Sequence, residues 1–390
     1  MELKDKKTNR IIGIDASNLR RGGGITHLVE FIAAAKPEYH DIKKIIIWGS
    51  SKTLDLLDDK PWLVKIIPSE LNSGFVKRFY WQKFKLSNSV IKQGCDLIFI
   101  PGGSFSTSFR PLVTMSRNML PFEKDELRRY GFSLKGLRLI LLKWIQSKSF
   151  KSASGVIFLT KYAEKNIIRV TGRLSGISSV IPHGLNDRFK IEPKEQFDIS
   201  NYSLNNPFRL LYVSIIEEYK HQWSVVKAVE KLRRKGYPVE LHLVGPSYPK
   251  SLKSLNKVID DLDKDKQWVN YYGAVPYSRL HEIYNQSNLG IFASTCENMP
   301  NILLETMAAG LPIVCSNRGP MPEVLGDSGL YFNPEIPDEI SQAIETFLIN
   351  PELRLEKAKS SFANALEFSW SNCANETLSF LNKVALYHKN

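Results

Sequence analysis

The stretch TCENMPNILLETMAAGLP, residues 295–312, decides how this chain folds and where its chemistry lies. It follows a short apolar run and closes with Gly310 and Pro312, the order of residues that ends a helix. An apolar strand followed directly by a helix is half of a βαβ unit. The stretch therefore predicts strand, loop and helix, with Pro300 in the first turn of the helix and Asn298 as its cap.

The same alternation of β-branched runs and amphipathic stretches extends in both directions from this segment. Alternation of this kind predicts parallel sheets covered by helices on both faces. Two series of six strands are expected, at 11–15, 44–49, 96–100, 112–115, 155–160 and 179–182, and then at 209–214, 240–245, 268–272, 289–292, 312–316 and 329–332. The fold class is α/β, with two Rossmann-like, doubly wound domains.

The domain limits follow from where the alternation stops. The segment around 188–208 is polar, contains prolines and lacks periodicity, which predicts a hinge. An N-terminal domain over 1–187 and a second domain over 209–365 flank it. The last stretch, 366–390, holds a helical pattern with no strand after it, and we expect that helix to return to the N-terminal domain.

Composition excludes several classes of protein. A chain of 390 residues with 43% hydrophobic and 24% charged residues is neither disordered nor a coiled coil. No apolar run approaches the roughly 18 residues of a membrane span, and residues 1–6 lack the apolar core of a signal peptide. The four cysteines are scattered, which predicts reduced core residues of a cytosolic protein.

Charge is distributed unevenly along the chain. Residues 1–190 hold 33 Lys and Arg against 16 Asp and Glu, whereas residues 191–390 hold 20 against 24. Nucleic acid, an anionic membrane or an anionic substrate could attract the basic half. No nucleic-acid-binding motif is present, so nucleic acid is not expected as a partner.

Two stretches of the basic half, 75–85 and 134–148, interleave aromatic or aliphatic residues with cations. They are either helices that cover the sheet with a solvated basic face or a patch for an anionic membrane. Trp81, Phe84 and Trp144 would add apolar insertion if they face outward.

Two carboxylates lie in the deciding stretch. Glu297 precedes the helix N-terminus at the carboxyl edge of a parallel sheet, where open α/β sheets bind ligands. The free N–H groups of such a terminus suit a diphosphate, and a carboxylate can accept hydrogen bonds from hydroxyls. Glu305 lies inside an apolar helix, where an unpartnered carboxylate is costly. The alternative is a capping glutamate and a solvated one.

A glycine cluster, residues 22–24, joins the first predicted strand to a helix. Glycine leaves room for backbone N–H groups to approach an anion, although a tight turn alone would also explain the cluster. The pattern is neither G-x-G-x-x-G nor a phosphate-binding Walker loop, which argues against a dehydrogenase or an ATPase.

With the E-x₇-E spacing of Glu297 and Glu305, the stretch 297–332 resembles the donor site of retaining glycosyltransferases of family 4, the group 1 glycosyltransferases. The segment 180–189, VIPHGLNDRF, resembles the inter-domain segment of that family, and 268–277 resembles its base-binding region. The resemblance implies the GT-B fold, in which two Rossmann-like domains face each other across a cleft.

The resemblance also implies roles for individual residues. Glu305 is expected to hold the ribose hydroxyls, Glu297 to contact hydroxyls of the donor sugar, and Lys220 to neutralise phosphate. We therefore expect Glu297 and Lys220 to be catalytic. Further donor contacts are implied for Asn298, Met299, Pro300, Asn301, Ile302, Ala274, Val275, Gly23 and Gly24, and acceptor contacts for Asn118 and His27.

The sequence departs from the family pattern at three positions. Ile215 stands where the family usually has the arginine that neutralises diphosphate, so His221, Arg318 or Lys161 would have to substitute. Asn298 replaces a glycine. Asn118 stands at the usual N-domain His-Asp position and can donate a hydrogen bond but cannot act as a base.

Together these features predict a retaining, hexosyl-type glycosyltransferase that uses a nucleotide sugar and a glycan or lipid-linked acceptor in bacterial surface polysaccharide synthesis (O-antigen, capsule or exopolysaccharide). The alternatives are a non-catalytic, membrane-associated GT-B scaffold and a nucleotide-sugar epimerase. No cofactor and no metal are expected. The expected location is the cytoplasm, with an anionic membrane surface as a partner on the inner face of the plasma membrane.

Overall fold

The computed structural model describes residues 9–20 and 22–388, so residues 1–6, which bear on a signal peptide, lie outside the described residues. The chain divides into two compact units. The first contains the described residues up to Gly184 and those from Ser369 onward, and the second is Leu185–Phe368.

Seven parallel strands form the sheet of the first unit, in the order β3-β2-β1-β4-β5-β6-β7. They are β1 Arg10–Asp15, β2 Ile42–Trp48, β3 Leu63–Ile66, β4 Leu97–Ile100, β5 Leu112–Met115, β6 Gly155–Phe158 and β7 Ile177–Val180. The central strands β4, β5 and β6 are fully buried, as apolar strands of a parallel sheet covered on both faces should be. The edge strand β3, LVKI, is only half-buried and was not predicted; its lysine interrupts the continuous apolar run by which the buried strands were recognised.

Seven helices follow in this part of the chain, and a π-helical turn, Trp81–Lys85, joins α3 to α4. They are α1 Gly23–Ala34, α2 Ser51–Leu54, α3 Phe75–Tyr80, α4 Leu86–Lys92, α5 Lys124–Tyr130, α6 Leu134–Ser152 and α7 Lys161–Thr171. Side-chain caps fix two of the starts: Ser133 Oγ accepts from Gly136 N at α6, and Thr160 Oγ1 from Ala163 N at α7, each at 3.1 Å.

The second unit contains six parallel strands in the order β10-β9-β8-β11-β12-β13. They are β8 Phe208–Val213, β9 Val239–Val244, β10 Val269–Tyr271, β11 Leu289–Phe292, β12 Ile313–Ser316 and β13 Leu330–Phe332. The helices are α8 Gln222–Arg234, α9 Pro249–Leu262, α10 Leu280–Asn285, α11 Asn301–Ala308, α12 Met321–Leu325, α13 Pro337–Leu348 and α14 Pro351–Leu366. All six strands predicted for this half are present, with limits shifted by at most one residue.

The last helix, α15 Trp370–Tyr387, packs against α1 and β4 of the first unit. It coincides with the helical pattern seen in the sequence. Ser369 caps it by accepting a hydrogen bond from Asn372 N at 3.1 Å.

The segment predicted as a hinge, 188–208, packs against the second unit. The buried guanidinium of Arg354 donates to Gln196 Oε1 at 3.1 Å and to the carbonyl of Phe197. Phe189 is buried against the rings of Tyr277 and Tyr284. The change of unit therefore lies earlier than expected, between Gly184 and Leu185, because an aperiodic sequence does not reveal a loop that is packed down by hydrogen bonds.

In each sheet the strand order reverses next to the first strand of the unit, between β1 and β4 and between β8 and β11. In such a sheet, the loops that follow the two strands on either side of the reversal lead to opposite faces. This divergence leaves a crevice at the carboxyl edge of the sheet. The candidate site lies at this point of the second unit.

Candidate active site

The loops after β8 and β11 bring Lys220 and Glu297 into direct contact. Lys220 Nζ donates to Glu297 Oε1, and both side chains are largely buried, with 8% and 16% of their surface exposed. Thr295 N donates to the carbonyl of Tyr219 at 2.9 Å and fastens one loop to the other. The two residues expected to be catalytic are 77 positions apart in the sequence. They form an ion pair beside β8 and β11, where the strand order of the second sheet reverses.

The position of Lys220 is fixed from several sides. It ends a 3-10 turn, Glu218–Lys220, and its backbone carbonyl accepts a hydrogen bond of 2.7 Å from Tyr212 Oη. Its ammonium lies 5.5 Å from the ring centroid of Phe292 at the end of β11. A cation held this way can pass from the carboxylate to an incoming phosphate without a large change of the backbone.

Glu305 is buried in α11, with 5% of its surface exposed, and its carboxylate has phenol partners. Tyr277 Oη donates to Oε1 at 3.0 Å and Tyr284 Oη to Oε2 at 3.5 Å. Burial raises the pKa of Glu305 to about 7, although the two phenols and the charge of Arg188 oppose that rise. Sequence reasoning found the odd buried carboxylate but missed both tyrosines, which the pattern offered only as two aromatic residues seven positions apart.

The start of α11 differs from the predicted cap. The helix begins at Asn301, Pro300 lies at the N-cap position, and no side chain caps the helix. The expectation that Asn298 caps it is therefore wrong. Asn301 N donates to Met299 O at 3.0 Å, so the loop turns tightly into the helix through its own backbone. Ile302 follows in the first turn.

The predicted nucleobase loop lies beside Tyr277. Ala274 is exposed and Val275 half-buried, directly after β10. Gly273 adopts a φ of 67°, and its carbonyl accepts a 2.8 Å hydrogen bond from Gly245 N, which joins the loops after β9 and β10. A short 3-10 turn then carries Tyr277 to the carboxylate of Glu305. The stretches expected to hold base and ribose are neighbours in the structure.

His221 and Arg318 both lie at this edge, where Ile215 leaves a cation missing. His221 has a φ of 51°, is buried at the start of α8, and its Nε2 lies 3.2 Å from Thr295 Oγ1. Arg318, in the loop after β12, is half-exposed with Nη2 3.9 Å from a carboxylate oxygen of Glu335. Lys161 belongs to the first unit, at the start of α7. His221 directly follows Lys220, so it is the candidate nearest to the ion pair along the chain.

The side chain of Arg117 lies against the glycine loop of the first unit, residues 22–24. A Cβ on Gly24 would lie 2.6 Å from Arg117 Nη1, and one on Gly23 would lie 3.7 Å from Nη2. A side chain at residue 24 would therefore require the guanidinium, which lies against the first turn of α1, to move. Burial lowers the pKa of Arg117 to about 10, and within the described part of the chain its Nε has no hydrogen-bond partner. Sequence reasoning passed over Arg117, although it directly precedes Asn118.

Of the two predicted acceptor residues, one is accessible. Asn118 is exposed, and its Oδ1 accepts from Leu120 N at 3.1 Å. His27, in contrast, is 1% exposed and packs among the rings of His183, Trp370 and Phe31. Burial, His183 and Arg117 hold the pKa of His27 well below its usual range. The expectation that His27 contacts an acceptor is therefore wrong, because the side chain belongs to the core of the first unit.

Comparison with known proteins identifies the second unit. Residues 194–362 match the family model of the group 1 glycosyl transferases. The matched range takes up most of the second unit, which is therefore similar to the group 1 glycosyl transferases. The predicted resemblance to this family is confirmed over these residues.

Relatives of this chain include two mannosyltransferases of Escherichia coli. It is 29% identical over 262 residues to the O-antigen chain mannosyltransferase B of Escherichia coli and 24% identical over 236 residues to the serotype-specific mannosyltransferase WbdA of the same organism. The alignments cover 65% and 58% of this chain, but only 64% and 28% of the two relatives. An uncharacterized glycosyltransferase of Haemophilus influenzae is 25% identical over 90% of this chain and 94% of its own.

Solved structures confirm the fold. The Anabaena HepE protein in complex with UDP has a TM-score of 0.68 at 19% identity, over 96% of this chain and all of that one. The sucrose-phosphate synthase of Thermosynechococcus elongatus has a TM-score of 0.74 at 17% identity, over 98% and 100%. The chain has the GT-B fold that the resemblance implied.

Two further observations concern expected absences. Within residues 9–20 and 22–388, no helix is long and apolar enough to cross a bilayer. Over the same residues, no three side chains of the types His, Cys, Asp and Glu gather where they could hold a metal ion. Independence from metals and cofactors stays a prediction.

Proposed function

We propose that this chain is a retaining glycosyltransferase that moves a hexosyl group from a nucleotide sugar to a glycan or lipid-linked acceptor. The observation that carries the proposal is the meeting of Lys220, Glu297 and the buried Glu305 around α11, at the carboxyl edge of a parallel sheet. A cation, a helix N-terminus and two carboxylates are the groups that a diphosphate and two sets of sugar hydroxyls require. The UDP bound to HepE, a protein of the same fold, supports a nucleotide as the ligand.

In this proposal the nucleotide sugar separates an ion pair that already exists. The diphosphate takes the ammonium of Lys220, and Glu297 turns to hydroxyls of the donor sugar. As the bond between the anomeric carbon and the phosphate oxygen breaks, negative charge builds on the leaving diphosphate. Lys220 and the N-terminus of α11 stabilise that charge more strongly than they stabilise the intact donor. Their preset positions avoid reorganisation during the reaction.

Glu305 binds the ribose in this proposal. Its carboxylate exchanges the hydrogen bond from Tyr277 for bonds from the two ribose hydroxyls, whereas Tyr284 stays as the buried partner. Retention follows from attack of the acceptor on the face that the diphosphate leaves, with the leaving phosphate as the base, so no protein nucleophile is required. This part rests on the family resemblance.

The names of the relatives support the pathway and the sugar. Mannosyltransferase B and WbdA are mannosyltransferases, and the first acts on the O-antigen chain. We therefore propose mannose as the transferred sugar and bacterial surface polysaccharide as the product.

The charge of the first unit supports a membrane-linked acceptor. Its cations would attract an anionic leaflet on the inner face of the plasma membrane at roughly 1 kcal/mol for each basic residue near the surface. The attraction would weaken as salt rises, since the Debye length is about 8 Å at physiological ionic strength.

Calorimetry with nucleoside diphosphates, followed by product analysis with UDP-, GDP- and ADP-sugars, tests the function. We expect one nucleotide to bind and one nucleotide sugar to be consumed only when an acceptor is present. No affinity for any nucleotide would instead favour the non-catalytic scaffold, which the replacements at Ile215 and Asn118 suggest. Donor turnover without an acceptor would favour the epimerase.

A further inference from the structure

Helix α6 buries one side and exposes an apolar stripe on the other. Leu134, Leu137, Ile140, Leu141 and Trp144 are between 54% and 88% exposed. Spacings of three and four residues align them along one side of the helix. We call these five side chains the α6 face. The solvent-exposed side of most surface helices in globular proteins is polar. A contiguous apolar surface such as the α6 face is typical of a binding site.

The opposite side of α6 accounts for its attachment to the unit. Leu139, Gln146 and Phe150 are buried, and the ring of Phe150 lies 6.3 Å from that of Phe158 in β6. Because this side supplies the core contacts, the helix does not need the α6 face for folding. The apolar side chains on that face are available to something outside the unit.

Charge around the α6 face is of one sign along the helix. The range 134–152 contains five Lys and Arg and no Asp or Glu. The ammonium of Lys148 lies 5.7 Å from the ring centroid of Trp144. The acids of the preceding helix α5 are engaged, since Asp125 pairs with Arg128 and the buried Glu126 with Arg129. Apolar side chains bordered by several cations complement an anionic bilayer interface and not a cationic or purely hydrophilic partner.

A second surface repeats this chemistry. The segment 75–92, which contains α3, the π-helical turn and α4, also holds five Lys and Arg and no acid. Phe75, Val76, Phe79, Tyr80 and Phe84 are exposed there, whereas Trp81 is buried. We call those five exposed side chains the aromatic turn. Insertion of Trp81 was expected only if it faces outward, and that condition is not met because the side chain is buried in the unit.

One loop of the first unit is hydrogen-bonded both to α6 and to the π-helical turn. It follows β4, and Phe105 N donates to Ser149 Oγ of α6 at 3.3 Å. A residue later, Ser106 Oγ donates to Gln82 Oε1 of the π-helical turn at 3.1 Å. The helix that carries the α6 face and the segment that carries the aromatic turn are therefore held by the same loop, which joins β4 to β5.

We propose that the α6 face inserts into the interfacial region of an anionic lipid bilayer, with the aromatic turn as a second contact. Apolar burial supplies the component of binding that salt does not screen, and the cations supply the component that it does. The inference extends the proposed membrane partner from electrostatic attraction to insertion. It does not depend on the identity of the donor or on catalysis.

The test compares two sets of variants on vesicles of phosphatidylcholine, alone and mixed with phosphatidylglycerol. The apolar set is Leu137→Gln, Leu141→Gln and Trp144→Gln combined. The charge set neutralises Lys77, Arg78, Lys83, Lys135 and Arg138 to Gln. A matched control, Leu204→Gln with Ile349→Gln, removes two equally exposed apolar side chains from the second unit. Unchanged melting temperature and nucleotide affinity show that each variant is folded.

We expect wild type and control to co-sediment with the anionic vesicles and to retain part of that binding at high salt. The apolar set should bind at least about tenfold more weakly and lose the salt-resistant part completely. Quenching of tryptophan fluorescence by brominated lipid should fall in Trp144→Phe, which keeps an apolar ring and binding.

Three results would overturn the inference. If the apolar set bound the vesicles as well as wild type, and all binding were lost at high salt, the protein would be held by electrostatic attraction alone and the α6 face would not insert. Binding by neither would also remove the membrane as a partner, and nucleotide binding would then show whether the glycosyltransferase function still stands. Dimers in sedimentation velocity that the apolar set abolishes, without vesicle binding, would show that a second copy covers the α6 face.

Discussion

The carboxyl edges of the two sheets share a backbone plan but differ in chemistry. Both units are doubly wound and reverse strand order beside their first strand. At the second edge, Lys220 faces Glu297 and two phenols face Glu305, so each buried charged group has a partner that a ligand can replace. At the first edge, the side chain of Arg117 lies against the glycine loop, and His27 is buried beside His183. The fold supplies the crevice, but the loop residues decide what it can bind.

Charge follows the same division. The first unit has 33 Lys and Arg against 16 Asp and Glu, and the second has 20 against 24. The acids of the second unit include those that receive sugar hydroxyls in the proposed function, whereas the first unit carries the cationic helices. We therefore expect changes at the second edge to affect chemistry and nucleotide binding, and changes on the first unit to affect the acceptor side.

The largest effect is expected from Lys220→Ala. This variant should lower kcat/KM for sugar transfer by at least ~100-fold, because Ile215 leaves Lys220 as the main cation for the leaving diphosphate. Steady-state rates with the active nucleotide sugar measure it. Lys227→Ala, an exposed lysine on α8, is the matched control and should be silent. A loss below tenfold would mean that His221 or Arg318 carries the charge or that the phosphate lies elsewhere.

A smaller loss is expected at the ribose. Glu305→Ala should weaken binding of the nucleoside diphosphate by roughly tenfold to a hundredfold, since a charged hydrogen-bond partner contributes about 1.5–3 kcal/mol. Calorimetry with free nucleotide isolates this step from chemistry. Glu282→Ala, which removes an exposed carboxylate paired with Arg279, should leave affinity unchanged. If Glu305→Ala binds like wild type and stays folded, Glu305 has a structural role only.

The raised pKa of Glu305 predicts a pH dependence of nucleotide binding. The ribose hydroxyls donate hydrogen bonds, so the ionised carboxylate is the form that binds. With a pKa of about 7, affinity should rise as pH increases through 7 and level off above it. Tyr277→Phe removes a hydrogen bond that lowers this pKa and should move the midpoint upward. Glu305→Gln should flatten the profile around pH 7; an unchanged midpoint in that variant would assign the transition to another group.

Removal of divalent metal should have the smallest effect. Turnover in EDTA is expected to match turnover without it, because Lys220 and the helix N-terminus are proposed to stabilise the leaving group without an ion. Initial rates before and after chelation measure this. Complete loss of activity, restored by Mg²⁺ or Mn²⁺, would contradict the proposed chemistry of the second edge.

The sequence alone determined the architecture and part of the site. Continuous apolar runs such as LGIF and IVCS are typical of strands in a sheet covered on both faces, so the alternation predicted every parallel strand of the two sheets except the edge strand β3. The positions of Glu297 and Glu305 relative to the predicted helix placed Glu297 in the loop before it and Glu305 inside it. The basic half was likewise evident from a count of charges.

Only the tertiary structure decided which residues meet and which sides are buried. The Lys220–Glu297 pair joins loops 77 positions apart, and the phenols on Glu305 come from another turn and helix, so local periodicity carries no trace of them. Helix α6 has apolar residues on both sides, and periodicity cannot tell which side the sheet covers. Packing buries Phe150 and leaves Trp144 outside, as it buries Trp81 and exposes Phe84, because the core accepts only the side whose shape fits the strands beneath it.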